Sequence, residues 1–514
     1  MTVSKQKKGI ILISILLGFI LSSLDNTIIS ASMGNIIADI GGLDKITWMF
    51  TTYALAGTST MLIFGKLSDM FGRKTFYLIG IGLFLLGSAL CGTAGSIEQL
   101  IVYRVIQGIG SGAIFPISLS LIYTLFNDPK DAAKMSGLFG AVLGLSSIGG
   151  PLLGAWVSES LNWRWCFYIN LPIGIVSFVS LLCTLRESRS EAKPKIDILG
   201  ALLIVIMTVS AMFALELGGK DYAWSSWLII GLFAISALAM IAFYFVEQRA
   251  SEPIVPLQLF KNRMVTGTNI VVFCQGALLF SAMTYLPLYA MYVFDGFSVK
   301  LLLTPLMLSM ICGSVLIGYL QAHFRVRTVM FVNMVLGIGI SILLMNLSLE
   351  VPHWQIIALA VVLGLGVLGP LNNITQNAVA YSVDKRYIGV SASLVGFSRS
   401  IGGVMGVSVM AVIVNLQMKS SVTTAIGKFQ LLPNPDPNRD PLNPETVFRF
   451  KDYFEPQLVS FYKLAMGNAI NQGFALALCV TIIGAIAALT VGASKLHKRS
   501  DAASADTVTQ SVSH

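Results

Sequence analysis

The chain has 514 residues, 55% of them hydrophobic and 11% charged, with a mean hydropathy of +0.78 and a net charge of +9. Soluble proteins are about one-quarter charged, so a water-soluble fold of this size lacks the polar material to cover its surface. Six cysteines, all in apolar runs and none at bridge or metal-ligand spacing, exclude a secreted disulfide scaffold and read as small buried hydrophobes.

A membrane-spanning helix needs about 20 mostly apolar residues. Fourteen such runs follow one another: 9–33, 46–65, 75–95, 99–125, 135–157, 165–185, 197–217, 225–246, 265–291, 301–322, 328–349, 354–381, 388–416 and 465–493. The chain is therefore expected to be an all-α polytopic membrane protein with fourteen transmembrane helices. Segment 417–464, rich in Pro and Asn between Pro433 and Pro444, reads as a long irregular outer loop. The Ser/Thr/Ala-rich tail 496–514 reads as disordered.

Lys and Arg in alternate loops set the orientation. With the N-terminus cytoplasmic, 22 of the 34 lie on that side and 10 on the outer side, with Arg104 and Arg399 inside spans. The positive charge thus sorts onto one face of a bilayer, which argues against a nucleic-acid partner. Both termini are expected in the cytoplasm of a bacterial cell whose plasma membrane holds the chain, and an even span count agrees. A Lys-rich start before an apolar run resembles a secretion leader, but Asp25 inside that run and the later spans favour a retained helix.

Taken in chain order, the first span carries Leu24-Asp25-Asn26-Thr27-Ile28. The first basic loop then reads Gly65-Lys66-Leu67-Ser68-Asp69-Met70-Phe71-Gly72-Arg73-Lys74. Its close-approach glycines, one carboxylate and basic cluster suit a latch that forms in one conformation and breaks in another, with Asp69 capping the next helix and pairing with a neighbouring cation. The fourth span holds Tyr103-Arg104-Val105-Ile106-Gln107-Gly108-Ile109-Gly110-Ser111-Gly112. An intramembrane Arg is costly and points to a partner. Asp25 lies roughly 12 Å below the outer end of its span and Arg104 roughly 8 Å below the end of its own, at 1.5 Å per residue, so the two can meet directly or through a water. In the fifth span, Gly140, Gly144, Gly149-Gly150-Pro151 and Gly154 give a smooth, bent helix suited to a sliding contact.

Glu216, at the outer end of the seventh span, reads as an interface residue, with a secondary proton site as the alternative. Pro370, Asn372, Asn373, Gln376 and Asn377 make the twelfth span too polar to face lipid, and the thirteenth has Gly396, Gly402, Gly403, Gly406 and Arg399. The sequence offers no nucleophile–base pair, metal-ligand cluster or phosphate-cradling loop, so neither an enzyme nor a bound cofactor is expected.

The loop Gly65–Lys74, the segment Arg104–Gly112 and the helix Gly140–Gly154 resemble the signature motifs of the major facilitator superfamily. Together with Leu24–Ile28 and Asn162-Trp163-Arg164-Trp165-Cys166-Phe167-Tyr168-Ile169-Asn170-Leu171-Pro172, they are similar to its fourteen-helix drug:proton antiporters of the Bacillus type. The resemblance implies two six-helix bundles, 9–190 and 263–495, separated by two inserted helices in 191–262. It also implies alternating access driven by inward proton flow, and the buried charges Asp25 and Arg104 are the pair expected to couple the proton. Gly65, Asp69, Gly72, Arg73, Lys74, Gly144, Gly149, Gly150, Pro151 and Gly154 then form the conformational gate. In the counterpart loop Gly318–Arg327, Ala322 stands where the first copy has Asp69, so a second latch of the same kind is not expected.

A pocket for amphipathic cations wants aromatic and Met side chains around a carboxylate, for adaptable packing and cation–π attraction. Asp25, Tyr53, Phe115, Gln275, Tyr285 and Asn373 are the expected lining residues. The expected function is proton-coupled multidrug efflux by a monomer whose partners are drugs, protons and the lipid bilayer. A dedicated exporter of one antibiotic, lipid or metabolite on the same scaffold is the alternative.

Overall fold

The structure, a computed structural model, describes residues 5–42, 45–126, 129–185, 187, 196–219, 221–294, 297–321, 323–348, 351–431, 441–442, 444–449 and 453–492. The tail 496–514 and Ala322 lie outside the described residues. The first helices are α1 (Lys5–Ile40), α2 (Ile46–Phe71), α3 (Arg73–Gly92), α4 (Ile97–Leu125), α5 (Pro129–Ser160), α6 (Trp165–Tyr168) and α7 (Asn170–Thr184). Two more follow, α8 (Ile198–Leu217) and α9 (Trp227–Arg249). The remainder are α10 (Arg263–Val293), α11 (Lys300–Leu320), α12 (Val326–Met345), α13 (His353–Leu363), α14 (Gly369–Ser382), α15 (Ile388–Phe429), α16 (Pro444–Arg449) and α17 (Pro456–Thr490). A π-helical turn, Gly364–Leu368, joins α13 to α14.

Among the described residues, twelve helices are long and apolar enough to cross a membrane. The sequence expectation of fourteen also includes α2 and α5, helices of 26 and 32 residues that are not among those twelve. Polar starts are capped locally: Ser96, Asp197, Ser226 and Asn262 each accept a backbone N–H from the first turn of α4, α8, α9 and α10.

Helices α1–α7 pack chiefly on one another, and so do α10–α17. Each group closes over an apolar core that includes Phe19, Tyr77 and Phe84 in the first and Met334, Leu363 and Phe474 in the second. Helices α8 and α9 pack together, and α8 also touches α2 and α15. Large apolar side chains such as Trp227, Ile198 and Leu238 are exposed on α8 and α9, as a lipid-facing surface requires.

The segment read as an irregular loop, 417–464, is largely helical where it is described. Helix α15 continues to Phe429, α16 covers Pro444–Arg449 and α17 starts at Pro456. Polar residues such as Lys419, Ser420 and Thr423 end the apolar run without ending the helix, whose backbone bonds are satisfied in water as well as in lipid. Likewise α1 runs to Ile40, beyond the expected 9–33.

Candidate functional site

Asp25 on α1 and Arg104 on α4 are both 0% exposed and form a direct ion pair. Arg104 Nη1 donates to Asp25 Oδ2. Asp25 Oδ1 accepts from Gln107 Nε2 at 2.8 Å and from Asn170 Nδ2 at 2.9 Å. Arg104 also donates to Gln107 Oε1 at 2.8 Å, Asn26 Oδ1 at 2.6 Å and the Met49 carbonyl at 3.4 Å. Its guanidinium lies 3.9 Å from the centre of the Tyr53 ring, a cation–π contact. Asn170 is held in turn by a 3.0 Å bond to Ser88 Oγ.

Such saturation is what a buried ion pair needs, because desolvation costs several kcal/mol per ion unless every lone pair and N–H is engaged. Sequence depth located the pair, and Tyr53 joins it. Asn26, Gln107 and Asn170 belong to the same cluster. The signal that finds them is polarity: each is an uncharged amide within a membrane span, Asn26 and Gln107 beside the two charges and Asn170 in an apolar run.

The second constellation lies at the end of the bundle bearing Lys66, Arg73, Lys74, Lys385 and Arg386, here the basic face. Arg73 Nη2 donates to Asp69 Oδ1 at 2.8 Å and to the Lys385 carbonyl at 2.8 Å, and Arg73 Nη1 donates to Thr124. Asp69 Oδ2 accepts the Val390 backbone N–H at 3.0 Å. Asp69 therefore pairs with a cation as expected, but the helix start it serves is that of α15, not α3. Gly72 is the backbone residue preceding α3, and its φ of 115° lies where side-chain-bearing residues rarely go. Gly65 meets Ser393 and the Gly389 carbonyl so closely that a Cβ there would collide. Lys74 Nζ donates to the Leu182 carbonyl at 2.7 Å.

A neutral network closes the same face. Tyr123 OH on α4 donates to Asn377 Oδ1 at 2.8 Å. Asn377 Nδ2 donates to Gln321 Oε1 at 3.1 Å and to Asn373 Oδ1 at 2.5 Å, while Asn373 Nδ2 donates to the Ser314 carbonyl at 2.9 Å. Asn373, expected to line a substrate pocket, is thus tied into this seam. Along α5, Gly140 approaches Ser314 on α11, whereas Gly150 and Gly154 approach Thr27 and Ile28 on α1. Gly144 and Pro151 lie on the same helix, and Gly149 has open space around it.

Other expected residues lie apart from the pair. Phe115 packs near Phe19 and borders Gly396 of α15. Gln275 donates to the Leu368 carbonyl in the π-helical turn at 3.0 Å. Tyr285 is buried in the core of the second group. Glu216 borders a cavity of about 190 Å³ with Trp224, Phe280 and Ser408.

The sequence profile of the Major Facilitator Superfamily matches residues 15–407, and the chain belongs to that family. It is similar to Multidrug resistance protein 3 of Bacillus subtilis (strain 168), 36% identical over 499 residues, covering 96% of this chain and 97% of the relative. The Multidrug transporter protein MdtP of the same organism is 34% identical over 517 residues, covering 96% and 95%. The fold is like that of the human organic anion transporter MFSD10, with a TM-score of 0.57 at 14% identity over 93% of this chain and 99% of the other.

Proposed function

We propose that this member of the major facilitator superfamily is a proton-coupled antiporter that exports amphipathic, mainly cationic drugs by alternating access. It is a transporter and not an enzyme, as its family membership implies. The proposal extends to a fourteen-span monomer in a bacterial plasma membrane, six helices on either side of the inserted α8 and α9, with both termini cytoplasmic. The multidrug names of the two Bacillus relatives support efflux, and the concentration of Lys and Arg on one face supports the orientation.

The observation that carries the coupling is the wholly buried Asp25–Arg104 pair. With the basic face cytoplasmic, the contacts at Gly65, Asp69 and Asn377 close the cytoplasmic side, as the outward half of the cycle requires. A proton arriving from outside adds to Asp25 and cancels its charge. Arg104 then loses its ionic partner while keeping Asn26, Gln107 and the Met49 carbonyl. Helix α1, which α5 contacts through Gly150 and Gly154, is released to shift, and a cation attracted by the carboxylate leaves. After the chain turns inward, Asp25 gives its proton to the cytoplasm and regains affinity for Arg104 and for a cationic drug. Glu216, at the end of α8, is a secondary proton site in this scheme.

The test is ethidium transport in proteoliposomes under an imposed pH gradient, wild type against Asp25→Asn. Gradient-driven uptake by the wild type and its loss in the variant, with ethidium binding weakened, is the expected result. Full coupled transport by Asp25→Asn overturns the assignment. Movement of a single antibiotic or lipid, but not ethidium, replaces multidrug export by a dedicated exporter.

A further inference from the structure

Arg399 sits in the eleventh position after the start of α15, roughly 16 Å along the helix axis at 1.5 Å per residue. Among the described residues its Nε and Nη2 are shielded from solvent and have no hydrogen-bond partner. That is the reverse of Arg104, whose Nε, Nη1 and Nη2 are all engaged. Arg399 is only partly buried as a whole, but two shielded donors without a partner are costly, and a cation inside a membrane-spanning helix marks a functional position.

The carboxylates that could neutralise it lie elsewhere. Helices α10–α15 and α17 contain no Asp or Glu. Of the elements packed against α15, α2 offers Asp69, α4 offers Glu98 and α8 offers Glu216. Asp69 is bound to Val390 N–H, about 13 Å back along α15 from Arg399. Glu98, in the first turn of α4, pairs with Lys45 at 2.6 Å. Glu216 follows Leu215, whose carbonyl accepts Ser408 Oγ about 13 Å further along α15.

The surroundings suit an amphiphile. Residues three and four apart share a helix face, so Gly396, Arg399 and Gly403 lie on one side of α15. Gly396 borders Met61 and Phe115 of the first helix group, and Gly403 borders the Phe280 ring. Arg399 is therefore placed between the seal of the basic face and the cavity at Phe280, beside apolar side chains from both groups. A guanidinium fork matches a carboxylate, sulfonate or phosphate in two-point geometry.

We propose that Arg399 is an anion-recognition residue of the translocation path. It receives a singly charged anionic group of an amphipathic substrate whose apolar body packs on Phe115, Met61 and Phe280. The inference rests on the transport reading above.

The test compares wild type, Arg399→Gln and Arg399→Lys in proteoliposomes with three probes: ethidium, zwitterionic norfloxacin and the ethyl ester of norfloxacin. Loss of a hydrogen-bonded charge pair predicts a fall of about tenfold or more in norfloxacin transport by Arg399→Gln. Ethidium and the ester, which lack the carboxylate, stay within about twofold, and Arg399→Lys keeps part of the norfloxacin rate because it keeps the charge. Equal losses for all three probes would mean that Arg399 serves the fold or the gate instead. Unchanged norfloxacin transport in Arg399→Gln, or a wild type that moves ethidium but not norfloxacin, overturns this inference alone. A wild type that moves none of the three removes the transport reading together with it.

Discussion

Where α2 meets α15, the basic face is closed by charge: Asp69 takes the Val390 N–H while Arg73 reaches the Lys385 carbonyl. Where α4 meets α14, it is closed by neutral groups, with Tyr123, Asn377, Asn373 and Gln321 passing hydrogen bonds among themselves. The two seams differ in what opening costs. Asp69 and Arg73 are four residues apart and keep each other when the seam parts, so only their bonds to α15 and its approach are lost. Water entering the gap then solvates both charges, which offsets part of the loss. The neutral seam gains far less from water and acts as a fixed edge. A seal with one ionic and one neutral edge can swing open on the ionic side while the other holds.

Changing the ionic edge gives the largest expected effect. Asp69→Asn removes a charge-assisted bond to Val390 and leaves Arg73, only 9% exposed, without its carboxylate. Hydrogen bonds to charged groups are worth about 1.5–3 kcal/mol, so the population open at the basic face should rise on the order of thirtyfold. Electron–electron double resonance between spin labels on α3 and α11 reads that population directly. An unchanged distance distribution would make the Asp69–Val390 bond incidental. Asn377→Ala strikes the neutral edge and comes second. A net neutral bond is worth about 1 kcal/mol, so a shift of about fivefold is expected in the same experiment. An Asn377→Ala effect larger than that of Asp69→Asn would reverse the assignment of swinging and fixed edges.

How far the sequence foretold these contacts follows from chemistry. A charge in an apolar run announces itself, and depth counting from the span ends was enough to bring Asp25 and Arg104 together. The Asp69 loop was equally plain as a place of contact, although its receiver, the start of α15, lies 321 residues away in the chain. Amides are more ambiguous, because the same side chain can line a pocket or tie two helices. Asn373 was read as lining, and its bonds to Ser314 and Asn377 place it in the seam. Helix extent beyond the membrane was least legible. Composition marks where lipid ends, but α15 carries on through Lys419 and Thr423 because nothing there breaks its backbone bonding.

The smallest expected effect concerns how the inserted pair joins the ionic edge. Lys66, one residue after Gly65, donates to Glu252 Oε2 at 2.8 Å, and Glu252 belongs to the connection between α9 and α10. Nearby, Glu247 Oε1 accepts the Ile254 and Val255 N–H groups at 3.1 and 3.3 Å, fixing that connection to the end of α9. The insert thus presses a carboxylate onto the latch loop. Glu252 is 45% exposed but Lys66 only 4%, so water screens the pair from one side and its net worth is about 1 kcal/mol. Glu252→Gln should raise the open population by no more than about fivefold, and 1 M salt, with a Debye length of about 3 Å, should shrink the difference from wild type. The Asp69→Asn shift, set inside the seam, should persist at that salt. If Glu252→Gln instead matched Asp69→Asn in size and in indifference to salt, the inserted helices would be part of the gate itself, and the ionic edge would run from α15 through Asp69 to the α9–α10 connection.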